Sequence, residues 1–388
     1  MEVIQNKGPH GSLELAADLA LNRRPSLLLL DPRVDASIRA ELLSVVSGAE
    51  YRPEFVWIAS SGTTQVVGVP PTLVALSWQA LCAGAQAVNE HLQVTERDIW
   101  LLALPDFHVG GFGIRVRSLL TGSKLIATAG NRAPWNGSAY FSDLIASQAT
   151  LTSLVPTQLY DLVQEHLTPP PALRAAVIGG QALAPALYFR ARELGWPILP
   201  SYGMTEACSQ IATADISSLG ERGIPKLKRL SHIECGATPD GFLTIDSPAL
   251  LEGTLARSFD GWQFAKISKS VPFVTSDRGE VQGDFLLVLG RGSDQVKIGG
   301  EFVNRTLLEQ TLIEVRLALN SKPDMALHFE PDERLGFEVV LLSTDALAGA
   351  LVEGEFNRRV SAPGRIRSVK QVDAIQRDVL GKRAKLLN

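Results

Sequence analysis

Several short stretches, widely separated in the chain, bring together residue types suited to handling a nucleotide. Residues 60–65 read SSGTTQ, with the hydroxyls of Ser60, Ser61, Thr63 and Thr64 set around Gly62. Hydroxyls and exposed backbone N–H groups can cradle a polyphosphate where glycine lets the backbone come close, and a polar turn ending a strand has the same composition. The GxxxxGK[ST] pattern of an ordinary P-loop is absent from the sequence. In SYGMTEACSQ, Tyr202 can stack on a base, Thr205 can hydrogen-bond a phosphate and Glu206 can help hold Mg²⁺; a solvated turn is the competing account for Glu206. Asp277 in TSDRGE and Arg291 in GRGSDQ can grip sugar hydroxyls or form a surface charge pair of little consequence.

Three further features are open to two readings each. LPDFHVGGFG places Pro105, His108, Gly110 and Gly111 after a buried-looking strand, so His108 can gate a substrate channel or serve as a structural loop histidine. VIGGQAL carries Gly180 and Gln181, where glycine lets a flat ligand lie on backbone or merely permits a tight turn. Lys382 follows Gly381 in a basic terminal segment, the kind of tail that is usually solvated.

The elements that must position these residues follow from apolar patterning. Residues 54–59 (EFVWIA) read as the first core strand and 60–71 as a loop, with a helix next, capped by Ser77 and carrying Leu81, Ala85, Val88 and Leu92 on one face. Strand-like runs at 98–104, 124–127, 152–155 and 175–178 alternate with segments long enough for helices, which predicts parallel pairing. From about Ile233, short pieces broken by Gly, Pro and Asp predict antiparallel hairpins. After Gly290 the charged run RGSDQVKIGGEF leads into a helix over 306–319, strands near 325–329 and 337–342, and a helix near 345–360. The expected class is α/β, with a large α/β domain over 1–290 that includes an antiparallel β portion, a hinge at 291–294, and a small mobile α+β domain over 295–388.

With 37 basic and 41 acidic residues among 388, the net charge is −4, and 45% of residues are hydrophobic. This argues against a chain built to neutralise nucleic-acid or lipid phosphates. Cys82, Cys208 and Cys235 are far apart and lack CxxC spacing, so neither a disulfide framework nor a cysteine zinc site is expected. No apolar stretch approaches the ~18 residues of a membrane span, and residues 1–12 lack a signal core. The expectation is a cytoplasmic protein without nucleic-acid or membrane partners; a homo-oligomer is left open.

Taken in order, these pieces resemble the adenylate-forming superfamily of acyl-CoA synthetases, peptide-synthetase adenylation domains and luciferases. SSGTTQ resembles its phosphate loop, SYGMTE its YGxTE motif, TSD its TGD motif, GRGSDQVKIGGEFV its GRxDDxIKxxGExV segment, and GKRAKLL its terminal GKxxRxxL. LPDFHVGGFGIRVRSLLTG, TSLVPTQL and YGMTEACSQIAT are most similar to the o-succinylbenzoate–CoA ligase branch, which serves menaquinone biosynthesis.

The resemblance implies conversion of ATP, a small-molecule carboxylate and coenzyme A to acyl-CoA, AMP and pyrophosphate, with Mg²⁺. It implies that Ser61, Gly62, Thr63 and Thr64 meet the β- and γ-phosphates, that Gly180, Gln181 and Tyr202 border adenine, and that Thr205 touches the α-phosphate. Glu206 would bind Mg²⁺, Asp277 and Arg291 the ribose, and Lys382 would bridge the α-phosphate and the reacting carboxylate. His108 would line the substrate channel. Rotation of the small domain at 291–294 would then bring Lys297, Gly299 and Gly300 to the adenylate.

The chain departs from the family pattern at Gln65 (usually glycine), at Val66, Val67 and Val69 (near a customary lysine), at Trp78 (often histidine) and at Ser293 (acidic, although Asp294 follows). Arg305 replaces a proline, and Gln376 and Asp378 a proline and a threonine. About 53 residues precede the first expected core strand, so a shortened N-terminal subdomain is expected. Two alternatives stand beside the o-succinylbenzoate ligase: a ligase for another aryl or fatty acid, and a nucleotide-binding relative with weakened catalysis.

Overall fold

The computed structural model describes residues 4–5, 26–48, 55–60, 70–128 and 135–375. Ser61, Gly62, Thr63, Thr64 and Lys382 lie outside them. The described chain opens with β1 (Ile4–Gln5), β2 (Leu27–Leu29), α1 (Ala36–Val46), β3 (Phe55–Ala59), β4 (Leu73–Ser77) and α2 (Trp78–His91). Next come β5 (Ile99–Leu102), α3 (Val109–Thr121), β6 (Lys124–Ala127), α4 (Gly137–Ser147), β7 (Leu151–Leu154), α5 (Pro156–Gln164), β8 (Ala175–Ile178), α6 (Pro185–Glu193) and β9 (Ile198–Met204). A run of strands follows: β10 (Ser209–Thr213), β11 (Leu227–Arg229), β12 (Glu234–Ala237), β13 (Phe242–Asp246), β14 (Gly253–Ser258), β15 (Gly261–Lys266), β16 (Phe273–Gln282) and β17 (Phe285–Arg291). The last elements are β18 (Gln295–Ile298), β19 (Glu301–Asn304), α7 (Arg305–Ala318), β20 (Met325–Asp332), β21 (Gly336–Ser343), α8 (Ala346–Arg359) and β22 (Ile366–Gln371).

Among the described residues, the largest sheet has the order β12-β13-β16-β17-β11-β10-β9-β8-β7-β5-β6. Its β9-β8-β7-β5-β6 portion is parallel, and from β10 onward the pairing is antiparallel. Strand β5 shows why its residues form a central strand. Trp100 and Leu102 enter one core with Leu151 and Ile211, while Leu101 and Ala103 enter a second with Leu159 and Trp196. Both faces are covered, so a continuous apolar run is what the position requires. A second sheet, β1-β2-β3-β4-β14-β15, lies alongside. Elements from β18 onward share a core built on Val296, Leu312, Leu341 and Phe356. Ile313 and Leu317 of α7 pack instead against the core of Leu159 and Trp196.

The parallel strands β5 to β8 are tied together at their amino ends by one residue, Asp98. Asp98 accepts from Arg174 Nε at 2.8 Å and Nη2 at 3.0 Å, from Thr150 Oγ1 at 2.7 Å and from the Thr95 N–H at 2.8 Å. Arg174 Nη1 also donates to Leu92 O at 2.8 Å, and Lys124 N to Asp98 O at 3.0 Å. The starts of β5, β6, β7 and β8 and the end of α2 thus meet at one point. Burial alone would raise the Asp98 pKa, but the hydrogen bonds from Arg174, Thr150 and Thr95 outweigh it and hold the pKa at about 2. The unfolded carboxyl titrates near ~3.9, so this clamp stabilises the fold above about pH 4 and is lost as pH falls toward 2. The urea midpoint of the wild-type protein is therefore expected to drop between pH 4 and 2 more steeply than that of Asp98→Asn; parallel pH profiles would refute the role.

Several expectations are met in detail. Ser77 caps α2, accepting from the Ala80 N–H at 3.2 Å, and Leu81, Ala85, Val88 and Leu92 are all buried. The helix expected at 345–360 is α8, with Asp345 accepting from the Ala348 N–H at 2.8 Å. Trp78, at the expected histidine position, is buried in the first turn of α2 with its ring centroid 6.0 Å from that of Phe112. Arg305 begins α7 with its guanidinium 4.5 Å from the Phe329 ring centroid.

Three strands correct the sequence reading. β2, not β3, is the first buried strand, pairing in parallel with β3 through Leu27 and Val56. β4 precedes α2 and runs antiparallel to β3, where the reading passed straight from loop to helix. β22 pairs in parallel with β21 beyond α8, where the reading ended in a basic tail.

Candidate active site

A cleft of about 2210 Å³ runs across the carboxyl ends of the parallel strands, the end at which open α/β sheets bind ligands. Residues just after β2 (Leu30, Asp31, Arg33), after β5 (Pro105, Asp106, Phe107) and after β8 (Gly180, Gln181) line it, and so does the second half of β9 (Ser201, Tyr202, Gly203). Residues of α7 (Leu307, Gln310, Ile313) and Ile375, the last described residue, line it as well.

Within this cleft the structure brings together Tyr202, Asp277 and Arg291, separated by up to 89 positions in the chain. The register of β16 and β17 places Asp277 opposite Arg291. Asp277, only 6% exposed, accepts from Tyr202 Oη at 2.7 Å and from Arg291 Nε at 3.2 Å. Burial, then the adjacent Asp277 charge, pushes the Tyr202 hydroxyl well above the usual tyrosine range, so it stays a donor. One Asp277 carboxylate is thus held by two donors at the cleft wall. The Arg291 guanidinium, with half of its side chain exposed, keeps free donor capacity for a ligand.

Thr205 and Glu206 follow Gly203 in a short 3₁₀ turn, Thr205–Ala207. Its position is fixed by the Leu251 N–H donating to Glu206 O at 2.8 Å and by Gly203, where a Cβ would stand 1.8 Å from Ser209 O. No side chain larger than hydrogen fits there, which accounts for the glycine of SYGMTE. Gly180, at φ +83°, turns the chain after β8 so that its backbone and Gln181 face the cleft. His108 is the N-cap residue of α3, its ring 4.7 Å from that of Phe107; it stands at the edge of the cleft rather than among its lining residues.

Segment 291–294 is a 3₁₀ turn in which Asp294 accepts from the Arg291 N–H at 3.0 Å and from Thr306 Oγ1 at 3.1 Å. Asp294 therefore closes this turn and ties it to the start of α7. Lys297, Gly299 and Gly300 lie on the β18–β19 hairpin, with Gly299 N bonded to Leu335 O at 2.8 Å. They are not among the residues lining the cleft.

Among the described residues, no group of three or more His, Cys, Asp or Glu side chains forms a metal cage. A single half-buried carboxylate, Glu206 in the Thr205–Ala207 turn, is chemically of the kind Mg²⁺ takes, one or two carboxylates with the shell completed by phosphates and water.

Sequence reasoning missed Arg117. It is 2% exposed on α3, donates to Ser209 Oγ at 3.4 Å, and burial lowers its pKa to about 10. Gln210, turned with its amide oxygen toward the guanidinium, accepts at 3.1 and 3.2 Å. Among the described residues it has no carboxylate partner, an expensive state for a buried cation. The only signal in the sequence is an arginine in an otherwise apolar helix, GFGIRVRSLL.

A family model described as AMP-binding enzyme matches residues 55–235, just under half of the chain, and the fold is shared with solved o-succinylbenzoate coenzyme A synthetases. O-succinylbenzoate coenzyme A synthetase from Bacillus subtilis in complex with AMP superposes with a TM-score of 0.67 at 22% identity, covering 96% of this chain and 80% of that one. The same enzyme with ATP and magnesium ion gives 0.66 at 22% identity, covering 96% and 81%.

In sequence, the similarity is to 2-succinylbenzoate–CoA ligases, and the resemblance read from the motifs is borne out. The Bacillus licheniformis ligase is 31% identical over 272 residues, 66% of this chain and 53% of its own length; the Bacillus subtilis ligase is 30% identical over 273 residues, 66% and 52%. The chain spans about half the length of the curated relatives it matches. Among the described residues no helix is long and apolar enough to cross a membrane.

Proposed function

We propose that this protein activates a carboxylic acid with ATP and transfers the acyl group to coenzyme A, with o-succinylbenzoate as the acid. The observation that carries the reading is the Asp277 carboxylate, held by Tyr202 and Arg291 in a cleft that Gly203 also lines, two residues before the Thr205–Ala207 turn, whose own residues are not among the cleft lining. In this reading Asp277 accepts from ribose hydroxyls and Arg291 donates to them. Tyr202, Gly180 and Gln181 border adenine, Thr205 donates to the α-phosphate, and Ser61, Gly62, Thr63 and Thr64 hold the outer phosphates. Glu206 would hold Mg²⁺, which when bound neutralises phosphate charge.

The substrate carboxylate oxygen forms a bond to the α-phosphorus as the bond to the bridging oxygen breaks and pyrophosphate leaves. Two anions approach in that step, so Lys382 supplies an ammonium between them. His108, at the edge of the cleft, gates the acyl channel. Thiol sulfur then attacks the acyl carbon, the thiol proton departs to solvent and AMP leaves. For this second step the unit from 295 onward turns at 291–294, bringing Lys297, Gly299 and Gly300 to the adenylate.

Arg117, 2% exposed and engaged by Ser209 and Gln210, is not among the residues lining the cleft, so its charge does not bear on the choice of acid. The names of the curated relatives support o-succinylbenzoate. The same reading puts the protein in the cytoplasm, working on small molecules without nucleic acid or membrane. A panel of carboxylates assayed for pyrophosphate release with ATP and Mg²⁺ tests it. Release with o-succinylbenzoate well above that with benzoate or octanoate is expected; equal rates would reject the acid, and none with any acid would reject the ligase.

A further inference from the structure

The wall of the cleft contains a buried ion pair that neither the motifs nor the proposed chemistry uses. Asp106, in the loop after β5, faces Arg115 in the second turn of α3, with Nη2 2.5 Å from Oδ2 and both side chains 7% exposed. Arg115 Nε is buried and has no hydrogen-bond partner. Two desolvated charges with an unmet donor are a poor way to stabilise a core, and apolar residues of similar volume commonly do as well or better. The geometry around the pair indicates what it does instead.

The loop is fixed at its C-terminal end by backbone. His108 N donates to Pro105 O at 3.1 Å and Phe112 N to His108 O at 2.9 Å, and Gly111 sits so close that a Cβ would stand 2.2 Å from Pro105 O. The Asp106 side chain adds a second anchor, nine residues along the chain, that fixes how the loop presents its face. Pro105, Asp106 and Phe107 line the cleft, and His108 follows at the cap of α3. In the sheet order, β5 lies three strand spacings from β9, about 14 Å at ~4.8 Å per spacing. The loop therefore lines a part of the cleft well apart from the Tyr202–Asp277–Arg291 cluster.

We infer that Asp106 and Arg115 are positioning residues that set the Pro105–His108 loop for the acid substrate, acting through Phe107 and His108 and not through the nucleotide. This rests on the proposed ligase activity. The test is the double substitution Asp106→Leu with Arg115→Met, which removes both charges and leaves neither unpaired. The expected result is a melting temperature at or above wild type, a KM for the acid raised about tenfold, and a KM for ATP within twofold of wild type.

Arg115→Lys, which keeps a cation for Asp106 but lacks the guanidinium fork, is expected to raise the KM for the acid about threefold. Wild-type acid KM in the double variant overturns the inference, and so does wild-type KM in Arg115→Lys should the double variant not fold. A wild-type protein that releases no pyrophosphate with any acid defeats the ligase reading itself. The pair is then judged by amide exchange over residues 106–112: at least tenfold faster exchange in the double variant at unchanged global stability is expected, and unchanged exchange overturns the inference.

Discussion

Replacing Lys382 with alanine is expected to slow carboxylate-dependent pyrophosphate release about a thousandfold, while ATP binding by calorimetry changes by no more than a few-fold. The difference between the two readouts is the point of the experiment. A cation placed between an incoming carboxylate and an anionic α-phosphate does most when charge accumulates there, so its loss falls on the transition state rather than on the ground state. A thousandfold corresponds to ~4 kcal/mol, within the range for deleting one charged contact to a developing anion. Lys382 lies outside the described residues. Ile375, the last of those, lines the cleft and brings the chain to it seven residues earlier. An unchanged rate of pyrophosphate release in the alanine variant would remove Lys382 from the proposed mechanism.

Asp277→Ala is expected to reduce kcat/KM for ATP about a hundredfold, ~2.7 kcal/mol, and to weaken AMP binding by a similar factor. Two losses combine. The ligand loses an acceptor for its hydroxyls, and Tyr202 Oη and Arg291 Nε lose the group that orients them; an unsatisfied partner adds about 1–3 kcal/mol. Asp277→Asn separates these contributions, because an amide oxygen still accepts from Tyr202 while the charge facing Arg291 is gone. It is expected to fall between wild type and alanine. Equal AMP affinity in wild type and Asp277→Ala, measured by calorimetry with both proteins folded, would exclude Asp277 from the nucleotide site.

Much of the parallel sheet was legible because its strands are short apolar runs bounded by turn residues. The runs at 124–127 and 175–178 coincide with β6 and β8 to the residue. β4 was not legible, since LVALS is a short continuous apolar run that leads directly into a helix, and periodicity cannot separate the two at that length. β22 was hidden by its charges: Arg367 and Lys370 are side chains an edge strand can leave in solvent, and they read as a basic tail.

For the site, Tyr202, Asp277 and Arg291 were each recognisable by motif, but their meeting depends on strand register, which no single motif encodes. Asp106, Arg115 and Arg117 were passed over for a general reason. Charged residues are rarely buried, so a pattern-based reading assigns them to the surface unless a partner is already known.

Asp98 joins the amino ends of β5, β7 and β8 through its carboxylate and that of β6 through its backbone carbonyl, which bears on how a protein of this fold can change over evolutionary time. Asp98 gathers strand starts at the edge of the sheet remote from the cleft. Insertions and substitutions among the cleft loops can therefore accumulate, altering what the cleft accepts, while strand alignment is kept by a group on the opposite rim. Selection on catalysis and selection on folding act on opposite rims of the same sheet.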